Sequence, residues 1–176
     1  MAGCYRQFGL AEATRRTIRE LIRSLKQSDS GLDFSLVTEQ LAIGAAPRSL
    51  HSVNRLKDLG FRYVIDLRAE RGPSDVLGNT RDLLVKWVPM YDDWKPVAPE
   101  LFRELDMEIK KVLLSEQGGK LFICCGAGEH RAPLAGILAL VIMGHSLEHA
   151  MALIVKARPK SELLPVYRSS LTQSLG

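Results

Sequence analysis

Apolar positions along this chain follow two rhythms. Near the start, Ile18, Leu21, Ile22 and Leu25 fall at i, i+3, i+4 and i+7, one face of an amphipathic helix over about Leu10 to Lys26. The polar run Gln27-Ser28-Asp29-Ser30-Gly31 then reads as a linker, so residues 1–31 are expected to be a helical extension and residues 32–176 the main domain. From Leu32 onward, short apolar runs rich in β-branched residues alternate with helix-period stretches. Strands are predicted at Phe34 to Val37, Leu41 to Gly44, Arg62 to Arg68, Leu84 to Met90 and Lys120 to Cys124. Helices are predicted from Ser49, a capping residue, to Leu59 before Gly60, then over Glu100 to Glu116, Pro133 to Met143, Ser146 to Ala157 and Glu162 to Leu171. Such alternation predicts an α/β fold with a mostly parallel central sheet flanked by helices. The stretch from Pro133 to Met143 is apolar on nearly every side and therefore belongs inside the core.

Composition narrows the class. With 176 residues, 46% hydrophobic and 25% charged, the chain suits one globular domain with an ordinary core. Cys4, Cys124 and Cys125 are odd in number and lack metal-site spacing, which argues against a disulfide scaffold or a zinc site and for a reducing compartment. No apolar signal core opens the sequence, and the longest apolar run is too short to span a bilayer. A cytoplasmic location without a transmembrane segment is expected. The net charge of +4 is concentrated in the first helix, where Arg15, Arg16, Arg19, Arg23 and Lys26 face Glu12 and Glu20. That basic face is either solvated or a contact for an anionic surface.

Chemistry concentrates where the predicted central strand gives way to the apolar helix, at Cys125-Gly126-Ala127-Gly128-Glu129-His130-Arg131. A thiol at a helix N-terminus and near a cation is biased toward thiolate, the nucleophilic form. Gly126 and Gly128 let the backbone wrap so that successive N–H groups point inward at an anion. Arg131 offers a planar fork for two phosphate oxygens. Phosphate or sulfate is therefore the expected ligand, held by residues 126–131. The same residues also fit a buried strand-end thiol beside a solvated arginine.

The loop with its strand and helix resembles the cysteine-dependent protein tyrosine phosphatases, most of all the dual-specificity group, over about Leu32 to Leu171. Cys125, Gly128 and Arg131 match the family's His-Cys-x-x-Gly-x-x-Arg-Ser/Thr signature at the same spacing. Leu41-Ala-Ile-Gly-Ala-Ala-Pro-Arg48, Tyr63-Val-Ile-Asp-Leu-Arg68 and Ala152-Leu-Ile-Val-Lys-Ala-Arg-Pro159 resemble three further family segments in the right order. The resemblance implies the protein tyrosine phosphatase fold and metal-independent, cofactor-free hydrolysis of phosphate monoesters through a cysteinyl-phosphate. Cys125, Arg131 and a carboxyl are then the catalytic groups. It places that general acid in Val88-Pro-Met-Tyr-Asp92-Asp93-Trp94, with Asp92 preferred and Asp93 as the alternative. The partner it implies is a phosphorylated protein or peptide, and lipid or nucleic-acid phosphates stay open.

Two departures from the signature matter. Cys124 stands where the family has a histidine supporting the thiolate, and Ala132 where it has a hydroxyl that eases breakdown of the phosphoenzyme. Slow turnover limited by hydrolysis of the intermediate is the expectation. His130 either supplies compensating positive charge or faces solvent. Glu129 either repels polyanionic substrates or pairs with a surface arginine. Vicinal Cys124 is expected to face the core rather than form a disulfide with Cys125, because adjacent Cα atoms about 3.8 Å apart lie below the usual disulfide range. Two other classes remain: a phosphate-binding module of the same fold, and a sulfurtransferase, which persulfide formation from thiosulfate would reveal.

Overall fold

The computed structural model of the protein describes residues 31–70, 76–78, 80, 82–114 and 119–175. The predicted basic helix over 10–26 lies outside the described residues. Five strands, β1 (Phe34–Leu36), β2 (Leu41–Ala45), β3 (Phe61–Arg68), β4 (Leu84–Met90) and β5 (Lys120–Cys125), form one sheet in the order β1-β2-β5-β3-β4. β1 pairs antiparallel with β2, and every other pairing is parallel. Five helices are described: α1 (Leu50–Asp58), α2 (Pro99–Leu113), α3 (Arg131–Ile142), α4 (Leu147–Ala157) and α5 (Pro165–Leu175). The α/β class with a mostly parallel sheet is as expected.

Local signals explain most boundaries. Ser49 caps α1 by accepting from the Ser52 N–H at 3.1 Å, and Gly60 takes φ +84 just beyond its end. Ser146 caps α4 in the same way. α5 departs from expectation: it begins at Pro165, not Glu162, because proline suits the first helical position and disfavours helix in the residue before it. β5 runs one residue further than predicted, to Cys125, and α3 starts two residues earlier, at Arg131.

Strand alternation divides the interior into two layers. Leu121, Ile123 and Cys125 of β5 join Leu41 and Ile43 in the larger core under α2 to α5, whereas Phe122 and Cys124 face the smaller core with Val53 and Leu56 of α1. Arg131 to Leu140 are all buried, so α3 is the central helix of the larger layer. Because β2 to β5 run in one direction, their C-terminal ends gather at one edge of the sheet, with β5 in the middle. In open parallel sheets this is where ligand sites form. Among the described residues no helix is long and apolar enough to cross a membrane.

Candidate active site

The loop after β5 is fixed by close backbone packing. Cys125 is buried, and its Sγ accepts a hydrogen bond from the Gly128 N–H at 3.2 Å. Gly128 has φ +72, and a Cβ there would sit 2.6 Å from the Gly44 carbonyl oxygen, so only glycine fits against β2. Among the described residues, the N–H groups of Ala127, Glu129, His130 and Arg131 have no protein acceptor. They lie at the N-terminus of a helix of 12 residues, which Arg131 begins and whose dipole adds positive potential at the same place.

Arg131 is almost fully buried and its donors can be accounted for. Nη1 donates to Glu70 Oε2 (2.7 Å) and to the Met90 carbonyl (3.0 Å), and Nη2 donates to Glu70 Oε1 (2.9 Å). Of the five N–H groups of a guanidinium, this leaves Nε–H and the second Nη2–H. These two are parallel on one edge, a ready bidentate fork for an oxyanion. Nε lies 3.3 Å from Asp92 Oδ2 yet out of hydrogen-bonding alignment, so it is buried without a partner. Burial works against the arginine's charge, but the Glu70 hydrogen bonds and the negative charges of Cys125, Glu70 and Asp92 outweigh it and push its pKa up. Glu70 in turn is held below the usual carboxylate range, chiefly by its hydrogen bonds from Arg131.

The two acidic candidates separate cleanly. Asp92 turns into the loop: Oδ1 accepts from the Tyr167 hydroxyl at 3.2 Å, and both oxygens lie 3.2 Å from His130 Nδ1. Burial, and then Asp92, push the Tyr167 hydroxyl up to about 12, so it remains a donor at neutral pH. Asp93 instead pairs with the exposed Lys95, through its backbone N–H at 3.3 Å and Nζ at 3.2 Å. Trp94, exposed and with φ +62, sets its ring edge-on to His130 at 6.3 Å between centroids. A bulky residue held in this region is uncommon and clusters at functional sites. His130 thus does not face solvent, and Glu129 pairs with a lysine rather than an arginine, Lys160 Nζ at 3.6 Å.

Behind the loop, Arg158 acts as a clamp. It is 2% exposed, and its Nε and Nη2 donate to the carbonyls of Gly128 (2.6 Å) and Ala127 (2.9 Å), while Asp33 accepts from both of its terminal nitrogens at 3.1 and 3.0 Å. Holding those carbonyls outward orients the peptide planes whose N–H groups serve the loop. Arg158→Met removes the donor from the buried Gly128 carbonyl, at about 1–3 kcal/mol for an unsatisfied group, and from the more accessible Ala127 carbonyl, which water can serve in part. Urea unfolding is therefore expected to show a loss of about 1–3 kcal/mol; a loss under about 0.5 kcal/mol, the scale of an ordinary surface substitution, counts against the clamp.

Cys124 faces the smaller core, fully buried, where burial first and then Asp66 push its thiol well up, so it is inert at neutral pH. Sequence reasoning missed Glu70, Arg158, Tyr167 and Glu162. Only Glu70 carried a usable signal, a carboxylate just past the C-terminal end of a predicted parallel strand. Among the described residues no group of three or more His, Cys, Asp or Glu is placed to hold a metal ion.

No protein-family model matches the sequence. No curated protein matches it either. Solved structures do share the fold. A mouse protein assigned as a dual specificity phosphatase and solved with zinc tungstate is 19% identical, with a TM-score of 0.69 and a match covering 84% of this chain and 89% of that one. The human tyrosine phosphatase-like serine/threonine/tyrosine-interacting protein is 16% identical, with a TM-score of 0.67 over 80% of this chain and 94% of its own. PTPMT1 in complex with PI(5)P is 16% identical, with a TM-score of 0.68 over 80% and 93%. The chain therefore has the fold of these proteins, the protein tyrosine phosphatase fold.

Proposed function

We propose that this protein is a metal-independent phosphatase of the tyrosine or dual-specificity type, hydrolysing phosphate monoesters on proteins or peptides. The observation that carries the reading is the unpartnered Nε/Nη2 edge of buried Arg131, set on the same loop as Cys125 and beside Asp92. In this reaction the Cys125 thiolate attacks phosphorus and an S–P bond forms as the ester P–O bond breaks. Asp92 gives its proton to the departing oxygen. The Asp92 carboxylate then takes a proton from water as that water attacks phosphorus, releasing phosphate and the thiolate. Throughout, the fork of Arg131 and the loop N–H groups hold the non-bridging oxygens.

The separate surroundings of Asp92 and Asp93 give a direct test. Hydrolysis of phenyl phosphate in EDTA is expected to persist, to fall about 10²-fold in Asp92→Asn, the low end of general acid catalysis, and to change little in Asp93→Asn. Loss of turnover in EDTA, or an Asp93→Asn defect as deep as that of Asp92→Asn, counts against the mechanism. Well-folded wild type that binds phosphate yet turns nothing over favours a phosphate-binding module, a role compatible with the phosphatase-like, interacting neighbour.

A further inference from the structure

His130 lies inside the loop, yet its side chain serves neither the sulfur nor the solvent. Nδ1 is 3.2 Å from both oxygens of Asp92, and Nε2 is 3.4 Å from Glu162 Oε2. The ring is mostly buried, with Trp94 edge-on beside it. Glu162 is itself tied to the loop, its N–H donating to the Glu129 carbonyl at 2.8 Å. Three elements thus meet at one imidazole: the segment after β4 with Asp92, the loop before α3, and the segment before α5 with Glu162. Asp92, His130 and Glu162 thus form one chain of polar contacts, ending at an exposed Glu162 carboxylate, and Tyr167 of α5 grips Asp92 Oδ1 from a further direction.

We propose that His130 is a positioning residue for the general acid: anchored by Glu162, it holds the Asp92 carboxyl over the phosphate loop at the place where the leaving oxygen departs. The inference rests on the phosphatase reading above. Asp92 follows β4 on an exposed stretch, with Tyr91 and Trp94 both largely solvent-facing. Such a segment does not hold a carboxyl to the accuracy proton transfer requires, and a displacement of about 1 Å in a catalytic group costs up to about 10²-fold. Arg131 does not substitute for His130, since its Nε is out of alignment with Asp92 and is the donor kept for phosphate.

The test exploits the chemistry of the leaving group. A general acid matters when the departing oxygen is basic and matters little when it leaves easily as an anion. The dependence of kcat/KM on leaving-group pKa, measured over a series of aryl phosphates, therefore reports the acid alone. Wild type is expected to show a shallow dependence and Asp92→Asn a steep one. His130→Ala should also be steep, losing about 10- to 100-fold on phenyl phosphate but only a few-fold on a nitro-activated ester. His130→Asn, whose amide reaches the Nδ1 position, should recover most of the loss, and Glu162→Gln should weaken the anchor by a smaller factor of about 3 to 10, within the same scale. A merely structural histidine would instead lower all esters equally. A steep Asp92→Asn with His130→Ala losing equally on every ester, or losing nothing, overturns the proposal alone. A flat response of Asp92→Asn overturns the acid assignment together with it, and the absence of any wild-type turnover overturns both.

Discussion

Cys125→Ser is expected to bring hydrolysis of an aryl phosphate down to the uncatalysed background, a loss of at least about 10⁴-fold, while inorganic phosphate still binds. The sulfur lies at the C-terminal end of the central strand with a backbone N–H on it at 3.2 Å. That donor, the guanidinium of Arg131 and the positive end of the α3 dipole surround the place where the sulfur meets a phosphoryl group. A serine hydroxyl lacks the soft nucleophilicity of sulfur and cannot use the same surroundings. Among the described residues no histidine is hydrogen-bonded to the sulfur to act as its base, the imidazole of His130 being turned to Asp92 and Glu162. Binding should survive because the oxyanion is held by the loop N–H groups and Arg131 rather than by the sulfur. Rapid-quench kinetics check the intermediate directly: wild type should give a burst of alcohol with a phosphoenzyme detectable by mass spectrometry, and Cys125→Ser should give neither. A variant keeping more than about a tenth of the activity, where loss of a true nucleophile leaves far less, would sink the cysteinyl-phosphate mechanism.

How much of this was legible before the structure depends on how local each interaction is. The loop could be read because its parts are consecutive: apolar strand, small residues, arginine, apolar helix. The class of the sheet could be read because strands and helices alternate with clear punctuation at Ser49, Gly60 and Ser146. Asp92 and Asp93 could not be separated, since adjacent carboxylates differ only in what surrounds them. It is the turn through Trp94 that brings one toward Tyr167 and the other toward Lys95. The contacts that Glu70 and Arg158 make with the loop could not be read for a deeper reason. Each meets the loop only because β5 lies between β2 and β3, an order that places the end of β3 beside Arg131 and the end of β2 beside Gly128. Nothing in the spacing of 70 to 131 or 33 to 158 encodes that order. The displaced start of α5 was readable, however, because Pro165 marks it.

The second large effect concerns geometry rather than charge. Arg131→Lys keeps a cation in the loop, yet its turnover is expected to fall about 10²- to 10³-fold, the scale of losing an oxyanion donor. The native guanidinium divides its donors between two tasks. One end locks to Glu70 and the Met90 carbonyl, and the remaining edge is the one proposed above to hold the oxyanion. An ammonium has three donors on a single atom and no second edge, so an amine drawn to Glu70 leaves the oxyanion without its fork. Glu70→Gln is accordingly expected to be milder than Arg131→Lys, because the amide oxygen still accepts while the freed arginine loses precision rather than its donors. The two changes together should cost less than the product of the separate losses, as expected for residues acting as one unit. Vanadate inhibition gives an independent reading, since it samples the same oxyanion fork without turnover. Its affinity should drop in parallel with kcat/KM across Arg131→Lys and Glu70→Gln, and unchanged vanadate binding in Arg131→Lys would show that the Nε/Nη2 edge does not hold the oxyanion.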